Sequence, residues 1–138
     1  MDYRVDIDPA HSIIRLTVAA KVVTPELAED MYICLSRLGS HGGPYAAIYD
    51  LSRVTSTTLP TELVRGYAHR APCIPIARAH VVVGREPAIY GLARLFQICG
   101  ESVGSEFEVV HTLEEAYEII GVRPEDFTQH VFPRKIAA

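Results

Sequence analysis

Residues 45–69 read YAAIYDLSRVTSTTLPTELVRGYAH. The run YAAIYDL (45–51) is apolar at both odd and even positions, the pattern of a strand covered on both faces. After Asp50 it spills into serines and threonines, and beyond Pro60 a short helix starts at Thr61 and is closed by Ala71-Pro72. A doubly covered strand that feeds a helix is one half of a strand–helix–strand crossover, so the stretch predicts a parallel sheet.

The neighbouring segments repeat the unit. Downstream, AHVVVG (79–84) is a second doubly apolar strand, and REPAIYGLARLFQICGE (85–101) is a helix with Pro87 near its start and Ile89, Leu92, Ala93 and Phe96 along one side. FEVV (107–110) makes a last strand, and Thr112 with Glu115 forms the capping box of a final helix whose buried side is Leu113, Ala116, Tyr117 and Ile120. Upstream, YRVDID (3–8) and IIRLTVA (13–19) alternate about the turn PAHS, which predicts an antiparallel hairpin. Thr24-Pro25-Glu26 then supplies an N-cap, a preset first helical residue and an acid in the first turn. Leu27, Met31, Leu35 and Leu38 continue that helix, which GSHGGP (39–44) is expected to stop.

The order β-β-α-β-α-β-α-β-α predicts an α/β domain with a mixed, mainly parallel five-stranded sheet and four main helices, the first two strands antiparallel. The domain spans 1–121, and 122–138 is a C-terminal tail with one short turn. The expected core is Ile14, Leu16, Leu35, Ile48, Val82, Leu92, Phe96, Val109 and Ile120.

Composition narrows the function classes. The 138 residues, 49% hydrophobic and 22% charged, suit one globular domain. A net charge of -4 and only two lysines, Lys21 and Lys135, argue against nucleic acid, whose phosphates call for clustered cations. No apolar run reaches the ~20 residues of a membrane span, and MDYRVDIDP lacks the features of a signal peptide, so a soluble cytoplasmic protein is expected. Cys34, Cys73 and Cys99 are widely spaced and read as core thiols. His11, His41, His69, His80, His111 and His130 fall at no metal-binding spacing, and no GxSxG, GxGxxG or GxxxxGK[ST] occurs. No catalytic residue, metal or cofactor is expected.

The element order, with YDLSRV ending the third strand, APxxP before the fourth, AHVVVG and YGLARLFQ, resembles the SpoIIAA-like branch of the STAS/SEC14-type domains from about Tyr3 to Gly121. The likeness is closest to that branch's small stand-alone bacterial proteins. It implies a SpoIIAA-like (STAS-type) fold, wound as successive strand–helix turns. Well-understood relatives are anti-sigma-factor antagonists switched by phosphorylation of an Asp-Ser pair past the third strand. Here the matching stretch after Asp50-Leu51-Ser52 is Val54-Thr55-Ser56-Thr57-Thr58-Leu59, with no Asp-Ser pair, so no phosphoswitch is expected.

The candidate binding residues lie at strand ends. Asp50, Ser52, Thr55, Ser56, Thr57 and Thr58 leave the carboxyl end of a central strand, where they either bind an anion or satisfy loop backbone and cap the next helix. Arg85 follows the next strand, and Tyr90 and Arg94 share a helix face. Gly91, inside that helix, costs about 1 kcal/mol against alanine and predicts a close approach by another backbone or a ligand. The leading functional expectation is a non-enzymatic regulatory or protein-interaction module. The alternative is a binder of a small apolar or acyl-type ligand, as the lipid-carrying branch of the group implies. A homodimer is expected, to bury a sheet face that helices leave uncovered.

Overall fold

The computed structural model describes residues 2–41, 44–70, 78–101 and 107–131. Cys73, the APxxP motif and the side chain of His41 lie outside them. The hairpin forms as expected: β1 (Tyr3–Asp8) and β2 (Ile13–Val18) pair antiparallel around the turn, Tyr3 opposite Val18 and Asp8 opposite Ile13. After the two-residue β3 (Val22–Val23), α1 (Pro25–His41) starts where Thr24 Oγ1 accepts a 3.2 Å hydrogen bond from the Leu27 amide. This helix runs through Gly39 and Ser40 and ends at His41, inside the GSHGGP stretch expected to stop it.

β4 (Ala46–Asp50) lies parallel to β2, and its loop carries β5 (Ser56–Thr57), which pairs parallel with β3 as a separate two-stranded ladder. α2 (Thr61–His69), β6 (His80–Val83), α3 (Pro87–Glu101) and β7 (Glu108–Val110) follow, with β6 parallel to β4 and β7 parallel to β6. In α4 (Leu113–Ile120) the Thr112 hydroxyl accepts from the Glu115 amide at 3.2 Å, and Gly121 ends the helix at φ 79, a left-handed conformation suited to glycine.

Among the described residues the main sheet has six strands, in the order β7-β6-β4-β2-β1-β8. The sixth, β8 (Gln129–Val131), pairs antiparallel with β1 at the edge, in what was expected to be a loose tail. It corrects both the strand count and the expectation that every strand after the hairpin is parallel. The single turn expected in that segment is a 3-10 turn at Pro124–Asp126.

The crossovers through α1, α2 and α3 step the same way across the sheet, and a common hand puts all three helices on one face. There Leu27, Met31, Cys34 and Leu35 of α1 pack on Val5, Ile14 and Leu16 of the hairpin. The opposite parity of β4 and β6, Ile48, Val81 and Val83, packs instead with Ala116 of α4, Val122 and Phe127. The sheet face expected to be bare is therefore covered by α4 and the segment after it. Ile14, Leu16, Leu35, Ile48 and Val82 are buried as expected, whereas Leu92, Phe96, Val109 and Ile120 are half-buried. Among the described residues, no helix is long and apolar enough to cross a membrane.

Candidate functional site

Leu92 and Phe96 are half-buried because they border a gap. Between the sheet and α1, α2 and α3 lies a cavity of about 260 Å³. Its floor is Leu16, Tyr49 and Val82, one from each of three adjacent strands and all on the same face. α1 contributes Ala28, Met31, Tyr32 and Leu35, and α2 contributes Val64, Tyr67 and Ala68. α3 turns Ile89, Leu92, Ala93 and Phe96 toward it, the same side that helical spacing marks in the sequence. Such a wall is apolar because each strand and helix offers its buried parity to the space between layers.

The few polar groups on this wall are engaged. The Thr57 hydroxyl donates to the Val23 carbonyl at 2.8 Å, and the Tyr49 hydroxyl shares a 2.9 Å hydrogen bond with His80 Nδ1. At the rim the Tyr67 hydroxyl donates to the Glu29 carboxylate, and Arg70 Nη1 donates to the same oxygen at 3.1 Å. The Arg70 guanidinium lies over the Tyr32 ring, 3.9 Å from its centroid, and 5.0 Å from that of Tyr67. Hydrogen bonds from Tyr67 and then Arg70 hold the Glu29 carboxyl below its usual range, while burial, and next the bond to Glu29, pushes the Tyr67 hydroxyl up to about 12. The lining thus grades from an apolar interior to an ion pair at the surface.

The residues singled out in the sequence divide sharply around this cavity. Of the hydroxyl loop, Thr57 lines it together with the apolar Leu51, Val54 and Leu59, so the loop belongs to the site through its hydrophobic members. Thr55 donates to the Lys21 carbonyl at 3.2 Å, and Asp50 accepts the Ser52 amide at 2.9 Å, both of them backbone-satisfying roles. The cap of α2 is Pro60, with no side-chain hydrogen bond, so the loop hydroxyls do not cap that helix. Ser56 and Thr58 are exposed.

Arg85, Tyr90, Gly91 and Arg94 do not line the cavity. Arg85 is exposed, Arg94 donates to Gln97 at 2.7 Å, and Tyr90 stacks on His111 with centroids 4.0 Å apart. A methyl group built on Gly91 meets nothing within 4 Å, which overturns the expected close approach within the chain. A tight approach is found instead at Gly84, where a Cβ would stand 3.1 Å from the Tyr90 backbone. Its signal was legible as the single glycine between a buried strand and a helix.

Sequence reasoning also passed over a buried charge network beneath α4. Asp6 is buried between Arg15, whose Nη2 donates to it at 3.0 Å, and His130 of β8. Arg15 reaches on to the Tyr117 hydroxyl at 2.8 Å and lies 4.5 Å from the Phe127 centroid. Among the described residues no group of His, Cys, Asp and Glu could hold a metal. Comparison of the chain with models of known families, with curated proteins and with solved structures gave no match.

Proposed function

We propose that this chain is a non-catalytic binding domain of STAS/SEC14-like type that takes up a small apolar ligand between its sheet and the α1–α3 layer. The carrying observation is the cavity of about 260 Å³. A void of about 150 Å³ lined by aliphatic and aromatic groups holds a benzene-sized guest, so this one has room for roughly ten non-hydrogen atoms. A concave site of this size with an almost wholly apolar wall is the kind of place in which small apolar ligands are held, and that supports the reading.

The regulatory-module reading ranks second, because the hydroxyl loop that would carry a switch spends Thr55 and Thr57 on backbone carbonyls. Homodimerisation loses its motive where α4, Val122 and Phe127 cover the second sheet face. The proposed setting is a bacterial cytoplasm, from the resemblance. Native mass spectrometry of the purified chain, before and after solvent extraction, tests the reading. A small molecule that co-purifies and leaves on extraction is the expected result. A bare chain that also fails to bind added octanol or benzene overturns it.

A further inference from the structure

We infer that the ligand of this cavity is an apolar monocarboxylate, its body in the cavity and its carboxylate on Arg70; the inference rests on the apolar-ligand reading above. Among the described lining residues Arg70 is the one charged side chain. It stands at the end of an otherwise apolar wall, its side chain 43% exposed, so a bound body would leave its head group beside the guanidinium. Toward Glu29 Arg70 spends Nη1, and among the described residues its other guanidinium N–H groups are left to donate to a second carboxylate. The rings of Tyr32 and Tyr67 hold that guanidinium in place, so little side-chain freedom is lost when an anion docks.

The competing head groups fit less well. An ammonium group would meet Arg70 as a like charge. An alcohol would accept from the guanidinium without bringing a charge of its own, whereas a carboxylate adds the ion pair and can accept two parallel N–H donors. Glu29 opposes an incoming anion by occupying Nη1, which makes it a built-in competitor whose removal should tighten binding. The Tyr67 hydroxyl can still donate to an amide oxygen at that position, so Glu29→Gln keeps the rim assembled.

Isothermal titration of the full chain at neutral pH with octanoate and with 1-octanol, which share the same tail length, tests the inference. Octanoate should bind about fivefold more tightly than octanol, the size of effect an exposed ion pair gives. Arg70→Gln should weaken octanoate about fivefold and octanol distinctly less, and Glu29→Gln should tighten octanoate more than octanol. Cinnamate in place of octanoate reports whether the body is a ring or a chain, and Arg70-dependent binding of either supports the assignment. Equal affinity for octanoate and octanol, or equal loss of both in Arg70→Gln, overturns the carboxylate while leaving an apolar-ligand site. Failure of octanoate, octanol and cinnamate alike overturns the apolar-ligand reading and the inference with it.

Discussion

Asp6 on β1 stands directly opposite Arg15 on β2 and accepts a 3.0 Å hydrogen bond from its guanidinium, with no exposed surface of its own. Burial raises the Asp6 carboxyl, but the hydrogen bonds from His130 and Arg15 outweigh it and hold the group below its ordinary value. The pair joins the hairpin to β8 through His130 and to α4 through the Tyr117 hydroxyl on Arg15.

Removing one partner therefore strands a buried charge. Asp6→Ala should cost about 3–5 kcal/mol in urea unfolding at neutral pH, the usual penalty for an orphaned buried ion. Asp6→Ala combined with Arg15→Met should cost less than the sum of the single changes, because the second removes the charge the first exposes. A depressed carboxyl stabilises the fold above the unfolded-state value near 3.9 and loses that contribution as pH falls through its lower native value. The wild-type advantage over Asp6→Asn should then persist at pH 5 and shrink below about pH 4, and an advantage that grows on acidification contradicts the assignment.

Gly84 and Gly91 make opposite predictions on one helix–strand junction. Gly91→Ala enters open space in a helix interior and should stabilise by up to about 1 kcal/mol. Gly84→Ala drives a Cβ to 3.1 Å from the Tyr90 backbone and should destabilise. Thermal unfolding of the two variants gives the comparison, and loss of stability in Gly91→Ala would point to an approach from outside the chain.

The elements that carry strong local patterns were legible in the sequence. Thr24-Pro25 and Thr112-Glu115 mark helix starts because the capping side chain acts within one turn of its own position. YAAIYDL and AHVVVG declare two covered faces because both parities are apolar. β8 was illegible: Gln129-His130-Val131 has no apolar alternation, and pairing with β1, more than 120 residues away in sequence, decides it. The cavity was illegible for another reason. Periodicity shows that Leu92 and Phe96 face inward, whereas the spacing of helix and sheet decides whether they touch what they face. Asp6 and Arg15 were within reach, since counting outward from the hairpin turn sets them opposite each other.

Filling the cavity should trade binding for stability. Ala93 on α3 borders it, and Ala93→Leu adds three carbons where partner atoms are missing. At about 0.8 kcal/mol per buried carbon, offset by side-chain ordering, a gain of about 1–2 kcal/mol is expected. The same change should abolish binding of octanol measured by titration. A variant that is destabilised and still binds octanol would place the ligand elsewhere.

Ser52 and Ser56 should carry no stoichiometric phosphate in protein taken from its own cell. Neither follows an aspartate, and the Ser52 amide is tied to Asp50 in a tight turn that a kinase would have to open. Intact-mass and peptide mass spectrometry check this directly, and full occupancy at either serine restores the phosphoswitch.

Sedimentation at micromolar concentration should show a single species near 15.2 kDa. The apolar parity of β4 and β6 that invites a partner is met by Ala116, Val122 and Phe127, so among the described residues that face is not left bare to drive association. Among the described residues the exposed large hydrophobics, Val22, Ile33, Ile98 and Ile119, lie on four different elements. Ending the chain at Gly121 removes Val122, Phe127 and β8 together, strips Asp6 of His130, and leaves β1 as an open edge. That truncation should self-associate or lose cooperative unfolding. If it instead sediments as a well-folded monomer, residues 122–131 are not the cover, and a full-length dimer would return the sheet face to the role of an interface.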